Sequence, residues 1–174
     1  MHWRAHFGDV GLIGVDEAGH RFPNTPRKLD GNTFISHAGK DTPRIREQIA
    51  PCIHALDNAK FSDAVFLHSQ RSGGADAYKH LVLLALSKCA FGILVVSVNS
   101  AKHLWVAAEV DWLIEHHRPL AICLLDSTSP HEIDSRLPAG RGGAVFVGAP
   151  VFDFGASASL AQAALGEWVK GLVG

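Results

Sequence analysis

The chain has 174 residues, which is enough for one domain with a substantial core. Its formal net charge is −1, and no apolar run is long enough to cross a bilayer, so a basic surface for nucleic acid and a membrane span are both excluded. The three cysteines are odd in number and lie in apolar stretches, which argues against a disulfide framework and favours a reducing, cytoplasmic setting.

The first 31 residues differ from the rest of the chain in composition. They are rich in glycine, histidine and proline, and end in the polar segment Pro23–Gly31. Such a composition is typical of turns and linkers and not of a packed core. We therefore predict an N-terminal appendage and linker over residues 1–31, to which no function is assigned, and a main domain over residues 32–174.

From residue 32 onward, short apolar segments alternate with amphipathic ones. The predicted strands are residues 33–36, 64–67, 91–98, 120–125 and 144–147. The predicted helices cover residues 42–56, 76–88, 157–173 and a segment between 98 and 117. This alternation predicts an α/β fold, a flavodoxin-like open parallel sheet of about five strands with helices on both faces.

Two of the predicted helices carry further signals. Asp41 or Thr42 is expected to cap the first helix, with Pro43 in its first turn. The last helix presents an apolar row at i, i+4 spacing, which we expect to pack on the sheet: Leu160, Ala164, Trp168 and Leu172. An exposed Trp168 would instead indicate a subunit contact.

Polar residues concentrate where predicted strands end. Ser36–Asp41 follows the first strand, the glycine loop His68–Ala75 follows the second, and Ser97–Ser100 follows the third. Ligands of open parallel sheets bind beyond the carboxyl ends of the strands. The sequence therefore predicts a site at this edge.

Glu109 is the most informative residue of the chain. On a helical wheel it falls in an apolar sector that also contains Trp105 and Trp112. A carboxylate buried there without a partner is costly, and burial would raise its pKa. Such a group usually has a ligand or a catalytic role. The alternative is a glutamate that reaches water at the edge of a core helix.

Three segments of the chain together resemble a known family. Phe34–Asp41 is similar to the opening strand and loop of the TIR (Toll/interleukin-receptor homology) domain in its bacterial form. Ser72–Ser87 resembles its glycine loop and second helix, and Val95–Glu109 resembles the strand and Trp-x-x-x-Glu helix of its NAD-cleaving members. The resemblance covers residues 32–173.

This resemblance implies an enzyme that cleaves the nicotinamide–ribose bond of NAD+ and yields ADP-ribose or a cyclic isomer. Glu109 would be the catalytic residue. The substrate-binding residues implied are Ser36, His37, Ala38, Tyr78 and Trp105. NAD+ would be a substrate and no cofactor would be needed, since neither a Walker loop nor a dinucleotide-cofactor fingerprint is present.

The family also implies a biological setting. Its bacterial members act in antiphage defence and are activated by self-association through TIR–TIR contacts, from dimers to filaments. We expect the same here, in the cytoplasm, with the glycine loop His68–Ala75 at the contact between subunits. A sensor domain or a downstream effector would be a further partner.

Some features depart from the family pattern. The second predicted strand ends Phe66-Leu67-His68, where many relatives have an aromatic residue followed by aspartate. The glycine loop lacks a proline, and the basic residues after the first strand are Lys40 and Arg44. The diphosphate contacts and the substrate preference therefore stay open.

Alternative interpretations also stay open. Trp105 could serve core packing, Tyr78 could be a helix-surface residue, and His37 could be a solvated loop residue. The whole domain could be a non-catalytic adaptor or scaffold, or an enzyme similar to nucleoside deoxyribosyltransferases. The eleven histidines are scattered without metal-ligand spacing, so no metal site is predicted.

Overall fold

A computed structural model of the chain describes residues 32–54, 60–61, 82–83, 85–87, 89–100, 103–126 and 148–173. These residues form one parallel sheet in the order β2-β1-β3-β4-β5. The strands are β1 (Asn32–Ser36), β2 (Lys60–Phe61), β3 (Phe91–Val96), β4 (Leu120–Leu124) and β5 (Val151–Asp153). Because β2 has only two residues, the other four strands make up most of the sheet. The predicted open parallel α/β sheet is confirmed.

Four helices surround this sheet in the part of the chain that the structure describes. They are α1 (Thr42–Gln48), α2 (Ala50–His54), α3 (Leu104–Glu115) and α4 (Ala158–Val173). A short 3-10 turn, Gly39–Asp41, precedes α1. Residues 82–83 and 85–87 are also helical, within the helix predicted over 76–88.

The prediction of a single helix from residue 42 to about 56 is wrong. The helix is interrupted at Ile49, which separates α1 from α2. Pro51 supplies a physical reason, since it has no N–H to donate to the carbonyl of Glu47.

Helices α3 and α4 lie on opposite faces of the sheet. A Cβ atom built on Gly92 would lie 2.5 Å from Cδ1 of Leu113, so α3 packs directly against this position of β3. The neighbouring Phe91 ring meets the ring of Trp168 on α4 edge-on, with 5.5 Å between centroids. Adjacent residues of a strand point to opposite faces, so the two helices cover different faces. Trp168 thus packs on the sheet, as the first interpretation of the last helix expects.

The predicted row of α4 is right only in its second half. Trp168 and Leu172 are partly buried against the core, whereas Leu160 is 73% exposed. The buried residues of this helix are Ala161, Leu165 and Val169. The buried row starts one residue later than predicted, and one residue corresponds to a rotation of about 100° on a helix. Ala164 is accordingly exposed as well.

Some of the strand predictions need correction, and others concern residues outside the described part of the chain. The predicted strands 64–67 and 144–147 lie outside the described residues, as do residues 1–31. The prediction that the last strand of the chain lies at residues 144–147 is wrong, because β5 comes later in the chain. Strand β5 has a single buried side chain, Phe152, between two exposed ones, and this gives too short an apolar pattern to be recognised. Strand β3 ends at Val96 and not at Val98, because the chain turns at Ser97.

Strand order places a topological switch point between β1 and β3. The chain proceeds from β1 to β2 on one side and then returns to β3 on the other side of β1. In doubly wound sheets a crevice opens at this point, beyond the carboxyl ends of the two strands. Those ends are Ser36 and Val96.

Among the described helices, none combines the length and apolar character required to cross a bilayer.

Candidate active site at the switch point of the sheet

Glu109 lies in the interior, beside the end of β1. Its side chain is on α3, the residue is 4% exposed, and its neighbours Ala108 and Val110 are fully buried. Oε2 of Glu109 accepts a hydrogen bond from Oγ of Ser36, at 2.6 Å. The alternative in which Glu109 reaches water is therefore wrong. Two residues that the sequence singled out separately are thus in direct contact.

Burial controls the protonation of this carboxyl. Desolvation raises the pKa of Glu109 from 4.5 to about 8, and the hydrogen bond from Ser36 opposes this only in part. No basic side chain of the described residues contributes to the shift. Glu109 is therefore mostly protonated at neutral pH, and a cation brought beside it would favour the ionised form.

His37 is buried with both ring nitrogens in hydrogen bonds. Nδ1 lies 2.9 Å from the carbonyl oxygen of Ile35, and Nε2 lies 3.1 Å from Oγ1 of Thr42. A carbonyl oxygen only accepts, so Nδ1 carries the proton and Nε2 accepts from the threonine hydroxyl. Burial lowers the pKa of His37, which favours this neutral form. A contact of the ring with phosphate or adenine would need one of these bonds to be replaced, and the solvated-loop interpretation is wrong.

Asp41 joins the segment after β1 to the turn after β3. It stands at the N-cap position of α1, as predicted, but its side chain makes no capping hydrogen bond. Instead Oδ2 accepts from Oγ of Ser97 at 2.5 Å, and Oδ1 accepts from Nδ2 of Asn99 at 2.7 Å. Asp41 is 3% exposed, so both bonds are shielded from water.

The turn after β3 is itself closed by side-chain hydrogen bonds. Oγ of Ser97 accepts from the backbone N–H groups of Asn99 and Ser100, at 3.1 and 3.2 Å. Oγ of Ser100 accepts from the backbone N–H of Ser97 at 2.8 Å. The N–H of His103, the residue before α3, donates to the carbonyl of Ser100 at 2.9 Å. The turn is thus connected to the start of the helix that carries Glu109.

The segment at the end of β4 also contacts this site, on the side of β3 away from β1. The backbone N–H of Val98 donates to Oδ2 of Asp126 at 3.1 Å. Nη2 of Arg44 donates to the carbonyl of Leu125 at 2.5 Å. Arg44, one of the two basic residues considered for phosphate contacts, therefore already has a backbone acceptor, whereas Lys40 is exposed.

The remaining predicted site residues are placed as follows. Trp105 is half-buried on α3, one turn before Glu109, and packs against the core. Ala38 is buried, and its carbonyl accepts from the N–H of Asp41 at 2.9 Å, so this backbone group is already used. Tyr78 and the glycine loop 68–75 lie outside the described residues.

The sequence interpretation missed the network of Asp41, Ser97, Asn99 and Asp126. Each of these residues lies within a few positions of the end of an apolar strand, which was a usable signal. Their pairing depends on which strands are adjacent, and adjacency is not visible in a single sequence. In the described part of the chain, no three His, Cys, Asp or Glu side chains are arranged to hold a metal ion.

Comparison with known proteins gives no match. No protein-family model matches the chain, and neither a curated protein nor a solved structure matches it significantly. Function is therefore inferred from the chemistry of Glu109 and its surroundings.

Proposed function

We propose that the protein is an NAD+ nucleosidase of the TIR type, in which Glu109 is the catalytic carboxylate. It would release nicotinamide and form ADP-ribose or a cyclic ADP-ribose isomer. The observation that carries the proposal is a 4% exposed carboxyl, without a basic partner among the described residues, at the switch point of a parallel sheet.

The chemistry of N-glycosidic cleavage suits such a carboxyl. The bond breaks through a transition state in which positive charge develops on the ribose. A carboxylate in a water-poor environment stabilises that charge far more strongly than one in water. Nicotinamide leaves from a cationic ring as a neutral molecule, so no general acid is needed and one carboxylate suffices.

The raised pKa of Glu109 connects substrate charge to catalysis. A neutral carboxyl at rest avoids the cost of a buried, unpaired anion. The pyridinium of NAD+ would lower this pKa by its positive charge, so that Glu109 ionises when the substrate arrives. The hydrogen bond from Ser36 favours the ionised form further.

The wider role follows from the resemblance and is part of the proposal. Trp105 and Tyr78 would contact the nicotinamide-side ribose and the ring system, with the backbone around His37 and Ala38 below them. Self-association, with the loop 68–75 at the contact, would switch the enzyme on in antiphage defence within the cytoplasm.

The test is incubation of NAD+ with concentrated protein, because assembly is expected to be required, with products resolved by chromatography. Wild type should release nicotinamide, and Glu109→Ala should release at least about a hundredfold less while keeping its fold. Glu167→Gln is the matched control, since this exposed glutamate of α4 pairs with nearby Lys170 on the same helix.

Three results would contradict the proposal. Equal nicotinamide release by wild type and Glu109→Ala would exclude Glu109 as the catalytic carboxylate, and no release by either at high protein concentration would favour an adaptor. Turnover of nucleosides without turnover of NAD+ would favour chemistry similar to that of nucleoside deoxyribosyltransferases.

A further inference from the structure

Two chain segments meet at the switch point and are joined by side chains at two places. The first segment runs from the end of β1 to the start of α1, and the second runs from the end of β3 into α3. Ser36 of the first bonds to Glu109 of the second, and Asp41 of the first bonds to Ser97 and Asn99 of the second. Only the first of these contacts includes the proposed catalytic carboxyl.

The contacts form a closed ring. From Asp41 the connection passes through Ser97 to Ser100, and from the Ser100 carbonyl to the N–H of His103. From His103 it follows α3 to Glu109, which Ser36 contacts. The chain itself closes the ring from Ser36 to Asp41 through the 3-10 turn Gly39–Asp41. Because the turn after β3 is joined to the start of α3, displacing this turn from Asp41 would displace the start of α3 from β1.

The bonding of Asp41 is unusual for its position. A carboxylate before the first turn of a helix normally accepts from backbone N–H groups there. The side chain of Asp41 makes no such bond, and both of its oxygens instead accept hydrogen bonds from the turn after β3. A capping hydrogen bond would stabilise α1 itself, whereas the observed hydrogen bonds stabilise the contact between the two segments.

We infer that Asp41 is a positioning residue, which holds the turn Ser97–Ser100 and thereby fixes Glu109 against Ser36. This inference rests on the proposed function for its catalytic consequence, but its geometric part does not. Asp41 acts through the turn and α3, and touches neither Glu109 nor the reacting bond.

The pair Asp41 and Asn99 offers a test by exchange. In Asn99→Asp two carboxylates face each other and repel. In Asp41→Asn the amide of Asn99 can rotate, so that its oxygen accepts from the new amide of residue 41 and the contact is kept. The double variant Asp41→Asn/Asn99→Asp restores one carboxylate and one amide with their roles exchanged. Oγ of Ser97 keeps an acceptor at residue 41 in the double variant.

Two readouts are followed in wild type, both single variants and the double variant. The first is nicotinamide release from NAD+, where Asn99→Asp should lose at least about tenfold in kcat with little change in KM, while Asp41→Asn stays within about threefold of wild type. The second is the pKa of Glu109 from a carbon NMR titration, which in Asn99→Asp should fall from about 8 toward 4.5 as water reaches the displaced carboxyl. The double variant should regain kcat to within about threefold of wild type and restore the raised pKa.

The inference is overturned if Asn99→Asp keeps both the kcat and the Glu109 pKa of wild type. It is also overturned if the folded double variant is no better than Asn99→Asp in both readouts. If wild type releases no nicotinamide, the proposed function fails, and the NMR titration alone decides whether Asp41 positions Glu109.

Discussion

Replacing Glu109 by glutamine should stabilise the protein at alkaline pH while removing its activity. Glutamine has nearly the same shape, and its side-chain oxygen can accept the hydrogen bond from Ser36. It cannot ionise, so it avoids the cost of a buried charge. When a functional residue destabilises the fold, replacing it is expected to raise the stability and lower the activity.

The magnitude follows from the pKa of Glu109 in the folded and unfolded chain. The pKa is about 8 when folded and 4.5 without the effect of burial. Below 4.5 both states are protonated, and between the two values only the unfolded chain ionises, so the contribution of Glu109 to wild-type stability falls as pH rises. At about 1.36 kcal/mol per pKa unit, ionisation of Glu109 above pH 8 lowers the free energy of unfolding by roughly 5 kcal/mol at most. Water that enters around the ionised carboxylate makes this decrease smaller, and we expect about 2–4 kcal/mol.

Urea denaturation followed by tryptophan fluorescence measures this effect. Near pH 4, Glu109→Gln and wild type should have nearly equal free energies of unfolding, and at about pH 9 the variant should be more stable by the amount above. Glu167→Gln, which changes an exposed glutamate, should show no such pH dependence. A stability difference that is constant over this pH range would refute the assignment of a raised pKa to Glu109.

Three further outcomes are expected. Ser36→Ala removes the one hydrogen bond that lowers the pKa of Glu109, so an NMR titration should place this pKa above about 8, and an unchanged value would argue against the contact. Gly92→Ala introduces a methyl group where α3 packs on β3, and should lower the free energy of unfolding by about 1–3 kcal/mol. Its control is Gly166→Ala on α4, where the added methyl meets nothing within 4 Å, and a gain in stability is expected; equal effects at both positions would contradict the packing described. Burial lowers the pKa of His37 below 6.5, so the unfolded chain binds this proton at a higher pH than the folded one, and the contribution of His37 to stability falls as pH drops below about 6.5. His37→Gln should flatten that decline in denaturation experiments, and an unchanged slope would show that His37 is not its source.

The fold could be predicted where the hydrophobic pattern is long. Strand β3 is apolar at every position and buried throughout, as a central parallel strand must be. Strand β5 has one buried residue, and the break at Ile49 arises from a missing N–H at Pro51. Strand β5 leaves no periodic signal and was not predicted for that reason, whereas Pro51 is a visible helix breaker that the prediction of a single helix did not take into account.

The locations of Glu109 and Ser36 were predicted, whereas their contact was not. Periodicity alone placed Glu109 on the apolar face of α3, and the end of β1 placed Ser36 at the edge of the sheet. Their hydrogen bond depends on the neighbouring strands β1 and β3, whose register pairs Ser36 with Leu94. Asp41 was expected to cap a helix from its local sequence, and long-range donors compete successfully for its carboxylate.

The most direct test of the catalytic role is the rate of nicotinamide release from NAD+ at about pH 8, for wild type and Glu109→Gln at equal high concentration. Because the variant keeps the shape and the hydrogen bond to Ser36 but has no charge to offer the ribose, its rate should be lower by at least about a hundredfold. A folded Glu109→Gln protein that releases nicotinamide as fast as wild type would contradict the role of this carboxyl.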